Sequence, residues 1–388
     1  MLKLINKNLD YLKTYPIFKN NNDFIKKMID KLNKDKIIVI TGMRWLHKTS
    51  IVKEFLEKTK STNYLYINDE LDLQNTVKND IDFFELLKVY EEKFWFCNII
   101  VLQNINKIKN IKQLILDLYK KKKYKIVILW NNIHIDTSKE LEICNNILIQ
   151  NNNLSIIDWQ NYLTYWNLPE VKFLNNDYFK KLFLDNIKNK IILQDIITNY
   201  SIKTVILLYQ SISKIAFLNT NLSIREFHRI IKNEWVDIAL ATFMDYIDFL
   251  VNSRLLKRCV VYDLKLDKSI NTNVKYYFTD LGIRNTFAWE KIDDNILVEN
   301  MIYNDLITKY KEIYNWLNGR FNFSFFVKDK NIFIHITKET TLHEIKKEVN
   351  KLNKIEQKWE KVLILSHLDM INYKEIIDWV KIVGLNNY

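Results

Sequence analysis

IIVITGMRWLHKTSIVKEFLEKT, residues 37–59, reads as a strand, a turn and a helix in immediate succession. IIVIT (37–41) is a continuous apolar run, the signature of a strand covered on both faces. In KTSIVKEFLEKT (48–59), Ile51, Val52, Phe55 and Leu56 fall on one stripe at helical spacing. The turn between them, GMRWLHKTS (42–50), fits the phosphate-binding pattern G-x-x-x-x-G-K-[ST] at Gly42, Lys48 and Thr49, with His47 in place of the second glycine.

That pattern needs each residue type for a physical reason. Lys48 reaches the β- and γ-phosphates, the Thr49 hydroxyl ligates magnesium, and the helix opening at Lys48 aims its unpaired N–H groups at the anion. ATP and Mg2+ are the ligands this chemistry implies, with Gly42, Arg44, His47, Lys48, Thr49 and Ser50 as the binding residues. His47 strains the pattern, because backbone amides approach phosphate closely at a position that favours a residue without a Cβ. An ordinary strand-to-helix turn is the competing reading.

Outward from the turn, YLYIN (64–68), NIIVL (98–102), KIVIL (125–129) and NLSII (153–157) repeat the buried-strand signature with helical segments between them. Strands alternating with helices predict a doubly wound α/β domain around a parallel sheet. From about residue 160 the pattern turns helical over 175–190, 190–200, 203–217, 223–233 and 236–256. Two strands follow, at 254–265 and 273–280, and helices followed by a two-stranded wing are the winged-helix pattern. A helix near 296–310, a hairpin (321–327 and 331–337), a helix starting at His343, a strand (361–366) and a final helix (373–383) complete a small α/β domain. The predicted organisation is 1–160, a P-loop ATPase-like domain; 161–290, a helical lid and winged helix; and 291–388, a small nuclease-like α/β domain.

Composition sets the class. With 48% hydrophobic and 27% charged residues, the chain is an ordinary globular protein rather than a disordered one. Its net charge of +12 favours phosphate-bearing partners. Arginine is scarce, however, at positions 44, 225, 229, 254, 258, 284 and 320 only, so a lysine-rich codon bias accounts for much of the charge. Cys97, Cys144 and Cys259 are widely spaced and form neither a disulfide framework nor a zinc knuckle. No apolar run approaches the length of a membrane span, and the N-terminus carries no apolar targeting stretch. A cytoplasmic protein without membrane association is expected.

TGMRWLHKTSIVKEF resembles the opening of the prokaryotic AAA-type ATPases that carry a C-terminal domain of unknown function, and the resemblance extends nearly to the C-terminus. LPEV (168–171), LQDIITNY (193–200), KYYFTDLGIRN (275–285) and LVENMIYNDL (297–306) match blocks of that family. In the family the third strand ends in an Asp that organises magnesium and a Glu that activates water; here Gln103 and Asn104 stand in those places. Amides neither neutralise magnesium nor accept a proton. On the fourth strand ILWNNIH keeps Asn132 and His134; the resemblance makes Asn132 a candidate sensor group toward a γ-phosphate, and a solvated strand end is the competing, favoured reading. No arginine lies between Arg44 and Arg225, so the family's arginine finger has no counterpart in the ATPase segment.

The last domain resembles restriction-type nucleases, but Asn322, Ser324 and His335 occupy the positions of its Glu, Asp and Gln, leaving no carboxylates for a cation. Lys338 and Glu344 remain nearby, and Glu299 and Asn300 are expected to form a hydrogen-bond set at a helix start. The helix SIREFHRIIKNEW (223–235) carries Arg225, His228, Arg229 and Lys232 at helical spacing, the candidate DNA contacts. The helix after it, expected to be the recognition helix, is acidic and apolar at Asp245, Asp248 and Phe249, which suits packing better than a major groove. The sequence therefore supports an ATP-binding switch with weak or lost hydrolysis. Its alternatives are a non-catalytic scaffold with a protein partner and a winged-helix DNA-binding protein. A monomer or small oligomer is expected.

Overall fold

The structure, a computed structural model, describes residues 1–17, 22–33, 37–42, 44, 48–68, 70–71, 77–105, 108–130, 141–144, 159–165, 168–172, 174–218, 221–233, 238–318, 321–355 and 359–388. They fall into two compact units, Met1–Ile149 and Gln150–Tyr388. Among the described residues no helix is long and apolar enough to cross a membrane.

In the first unit two amphipathic helices, α1 (Leu2–Thr14) and α2 (Asn22–Leu32), precede β1 (Ile37–Thr41) and α3 (Lys48–Lys58). Three strands, β2 (Tyr64–Asn68), β3 (Ile99–Gln103) and β4 (Lys125–Trp130), then alternate with α4 (Asp80–Phe94) and α5 (Ile111–Lys120). A fifth, β5 (Leu141–Cys144), closes the sheet, whose order is β2-β3-β4-β1-β5. Every pairing is parallel. Strands β1 to β4 are buried on both faces, which explains their unbroken apolar runs. Ile37, Val39, Ile100, Leu102 and Ile128 pack on one side against α4 and α5. Ile38, Ile40, Tyr66, Val101 and Val127 pack on the other against α2 and α3. The strand expected at 153–157 lies outside the described residues. β5, which takes the edge beside β1, has no counterpart among the predicted strands, because LEIC is too short to signal a strand by itself.

The second unit opens with α6 (Trp159–Tyr165), α7 (Pro169–Lys172) and α8 (Asp177–Lys190). The last of these widens into a π-helical stretch, Ile191–Ile197, before α9 (Thr198–Tyr200). Next come α10 (Val205–Phe217), β6 (Leu222–Ser223), α11 (Ile224–Asn233), α12 (Leu240–Asn252), and the antiparallel pair β7 (Leu256–Asp263) and β8 (Lys268–Phe278). After α13 (Leu281–Phe287) and α14 (Asp294–Lys309) the chain forms β9 (Ile313–Asn318), β10 (Phe321–Val327) and β11 (Ile332–Thr337). α15 (Leu342–Asn353), β12 (Glu360–Leu365), β13 (Lys374–Ile377) and β14 (Val380–Gly384) complete it.

Among the described residues, the nine strands of this unit share one sheet, in the order β13-β14-β12-β11-β10-β9-β7-β8-β6. The sequence pattern divides 161–290 from 291–388, but β7 pairs with β9 at Val261–Asn315, Tyr262–Trp316 and Asp263–Leu317. Tyr262 also packs in one core with Trp316, Phe326 and Phe333, so the two segments form a single unit. The expected final helix, 373–383, is instead the hairpin of β13 and β14. Its turn residues Asp378 and Trp379 both have positive φ, 47° and 69°, the geometry of a two-residue hairpin turn. Val380 and Ile382 alternate into the core, a period of two that a helical reading of Ile376, Ile377, Val380 and Val383 misses.

α15 is fastened at its first turn by an N-cap, where Thr341 Oγ1 accepts from the Glu344 amide and the Thr341 hydroxyl donates to the Glu344 carboxylate at 2.6 Å. Farther along, Glu348 lies 3.4 Å from His335 Nε2 on β11 and 2.6 Å from Lys351 Nζ. His335 first, and Lys351 after it, hold the Glu348 carboxyl down to about 2 against the burial that pushes it up. Because its folded value lies below the ordinary 4.5, this carboxylate stabilises the fold above pH 4.5 and loses that contribution as pH falls toward 2. After discounting for partial exposure the effect is about 1–2 kcal/mol. Denaturant unfolding followed from pH 6 to pH 2.5 should show this loss in the wild type and a flatter profile in Glu348→Gln.

Candidate nucleotide site

β1 delivers its last residues into the edge where the sheet reverses direction, with β4 on one side and β5 on the other, the place where open α/β sheets form a crevice. The ladder runs on past the strand, as Gly42 N donates to Trp130 O at 3.2 Å. Lys48, Thr49 and Ser50 then form the first turn of α3, and all three are buried. That turn carries no acidic side chain, so nothing of its own offsets the positive end of the helix. Lys48 Nζ donates to Gly42 O at 2.9 Å, which folds the ammonium back across the turn.

Thr49 meets the end of β3. Its hydroxyl donates to Gln103 Oε1 at 3.0 Å, and the same oxygen accepts from Tyr66 OH at 2.7 Å. One neutral carbonyl thus joins α3, β2 and β3. Asn104, the next residue, leaves the strand in the left-handed region, φ 54°, which Asn tolerates better than most residues. Its Nδ2 donates to Glu70 Oε1 at 2.7 Å, and Arg44, only 6% exposed, forms an ion pair with the same carboxylate. Asn68 Oδ1 accepts from the Glu70 amide at 3.1 Å and fixes the turn that presents this carboxylate. Glu70 is not among the sequence-derived residues. Its signal is its place two residues beyond the end of a parallel strand, where such sheets gather their functional groups.

The sequence-derived residues divide clearly. Gly42, Arg44, Lys48, Thr49, Ser50, Gln103 and Asn104 all sit at this one edge of the sheet. His47 and Asn132 lie outside the described residues. On α11, Arg225, Arg229 and Lys232 are exposed. His228 is not part of that face, since Nε2 lies 2.7 Å from Ile238 O and the ring packs on Phe243.

Of the three positions compared with nucleases by sequence, Asn322 is exposed, Ser324 Oγ accepts from the Ile336 amide at 3.1 Å, and His335 is held by Glu348. Glu299 accepts from Lys275 at 2.6 Å and from Tyr277 OH at 2.7 Å. Asn300 bonds both the N–H and the C=O of Phe278. These two residues lie beyond the first turn of α14 and clamp it to β8, rather than forming a set at a helix start. Among the described residues no cluster of three or more His, Cys, Asp or Glu is arranged to hold a metal ion.

The edge at Gly42–Ser50 fits the phosphate part of a nucleotide. It combines a buried lysine, a helix N-terminus and a buried hydroxyl. Thr41 Oγ1, Trp130 Nε1 and Asn104 Oδ1 are also buried there without a hydrogen-bond partner, so polar capacity remains at these strand ends. The fit to magnesium is partial: Thr49 could ligate it, but the group beside that hydroxyl is an amide rather than a carboxylate.

Comparison with known proteins agrees with this geometry. Residues 34–143 match the model of the AAA_14 family, described as an AAA domain. This segment is therefore a P-loop, ATPase-like domain of the AAA type. A protein of Haemophilus influenzae, itself described as uncharacterized, is 20% identical over 401 residues, covering 93% of this chain and 98% of that one. The Walker-type ATPase of Pyrococcus abyssi covers 71% of this chain and 99% of its own, with 10% identity and a TM-score of 0.47. The ORC1 protein of Aeropyrum pernix, solved in complex with DNA, covers 77% and 96%, with 10% identity and a TM-score of 0.29. Neither structural likeness is close enough to bear on function.

Gln103→Leu removes the acceptor that two buried hydroxyls share and should cost about 2 kcal/mol. Gln103→Glu keeps an acceptor for both and should cost clearly less. Denaturant unfolding of the two variants compares them directly, and equal losses would show that the bonds contribute little.

Proposed function

We propose that the N-terminal unit binds ATP with magnesium at the Gly42–Ser50 turn and hydrolyses it slowly or not at all, so that bound nucleotide serves as a conformational signal. One observation carries the reading. The hydroxyl suited to magnesium, Thr49 Oγ1, is held by the amide of Gln103, and the following residue is a second amide, Asn104. Lys48 and the first turn of α3 would hold the phosphates, and Thr49 would offer its hydroxyl to the metal. Magnesium, when bound, would neutralise phosphate charge. The chain's own residues bind and orient; neither amide can take a proton from attacking water. The family match over 34–143 supports nucleotide binding. The internal bonds of Lys48 and Thr49 favour the alternative, a scaffold that binds no nucleotide, because each would have to be broken by a ligand.

Calorimetric titration of the full chain with ATP should give saturable binding that strengthens with magnesium and is lost in Lys48→Ala, with no matching turnover. No saturable heat at millimolar nucleotide would leave the scaffold reading in its place. Vigorous magnesium-dependent hydrolysis would refute both.

A second reading rests on the C-terminal unit. The order α10, β6, α11, α12, β7, β8, with β6 paired to β8, supports a winged-helix reading. Arg225, Arg229 and Lys232 on α11 offer positive charge to a DNA backbone. Exposed Asp245 and Asp248 on α12 argue against insertion of that helix in a groove. On this reading, duplex affinity measured at low salt falls steeply with added salt and weakens in the Arg225→Ala, Arg229→Ala double variant. An unchanged affinity in that variant would exclude α11 as the contact.

A further inference from the structure

We infer that Arg44 and Glu70 form a latch that makes the site selective for a nucleoside triphosphate over a diphosphate; this rests on the proposed nucleotide binding at the same turn. Arg44 is the only arginine before residue 225 and is buried at the phosphate-binding turn. A guanidinium keeps its charge at any physiological pH, so a buried one requires an anion. Glu70 supplies it, with a carboxylate that also accepts from Asn104 Nδ2 at 2.7 Å. The carboxylate is the more exposed partner, at 31% of its side chain against 7% for Arg44, so it can leave into water while the arginine stays in place.

The latch sits toward the outer end of a bound nucleotide. Asn104 directly follows Gln103, whose side chain takes the Thr49 hydroxyl, and the motif places that hydroxyl on the metal and Lys48 on the outermost phosphates. A terminal phosphate presents more charge and more acceptor oxygens than a carboxylate, and two of its oxygens can accept the bidentate fork of a guanidinium. It therefore displaces Glu70 from Arg44, and Asn104 keeps the released carboxylate at the margin. A diphosphate, shorter and less charged, leaves the pair closed. The exchange also changes what holds Glu70, two residues past β2, so the triphosphate state reaches the chain beyond that strand.

Calorimetry with ATP and with ADP, both with magnesium, on full-length wild type, Glu70→Gln, Arg44→Gln and the double variant tests this. Circular dichroism checks that each is folded. Removing the competing carboxylate in Glu70→Gln should raise ATP affinity about tenfold while leaving ADP affinity nearly unchanged. Arg44→Gln should abolish the preference for ATP, and the double variant should behave like Arg44→Gln alone. An ATP-to-ADP ratio unchanged in Glu70→Gln would overturn the latch and leave nucleotide binding intact. Absence of binding in every folded variant would overturn both.

Discussion

Gln103 Oε1 accepts hydrogen bonds from Thr49 at the start of α3 and from Tyr66 on β2, while its own backbone ends β3. Three elements that are far apart in sequence converge on one uncharged oxygen. What the N-terminal unit can do depends on the neutrality of that oxygen. A carboxylate there would hold a divalent cation and tolerate a protonated neighbour; an amide offers a hydrogen bond and no charge. The same holds one residue later, where Asn104 donates to Glu70 in a conformation that suits Asn better than most side chains.

The sheet imposes this convergence. The four parallel strands β1 to β4, buried on both faces, have no freedom of register, because a slip of one residue would turn each apolar row toward the wrong helices. Their C-terminal ends are therefore fixed side by side, and the polar residues that end each strand meet at one edge: Thr41 after β1's apolar run, Asn68 on β2, Gln103 on β3. Helix α3 completes the edge because Lys48 begins it, so its buried first turn faces the same place. The retained lysine and hydroxyl belong to the phosphate-binding half of the site. The amides Gln103 and Asn104 lie in what the proposed function makes the reacting half, and the proposed switch is the consequence of keeping one half without the other.

Much of this is legible in the sequence because it rests on long, one-signed signals. The runs at 37–41, 64–68 and 125–129 each return as strands with those bounds or within one residue of them. The convergence of Gly42, Lys48, Thr49 and Gln103 can be read from strand–turn–helix context and motif register. Glu70 has only its place two residues past β2 as a sequence signal; its bonds to Arg44 and Asn104 depend on three-dimensional closeness, which no periodicity records. The C-terminal hairpin escapes for a different reason: over eleven residues, apolar positions at 376, 377, 380 and 383 satisfy a helix as well as two short strands. Only Asp378 and Trp379, in a turn without Gly or Asn, decide between them, and turns of that composition carry little signal. The sheet shared by β7 and β9 is likewise hidden, since a parallel pairing between distant segments leaves no local trace.

The central claim is that the Gly42–Ser50 turn holds a triphosphate that the amides at 103 and 104 cannot cut. The most direct measurement is to load the full chain with ATP and magnesium, strip free nucleotide by rapid gel filtration, denature the protein and identify what it releases. Intact ATP in near-stoichiometric amount, unchanged after prolonged incubation of the loaded protein, is the predicted result. ADP in its place would contradict the loss of hydrolysis, and a protein that carries no nucleotide through the column would contradict the site itself.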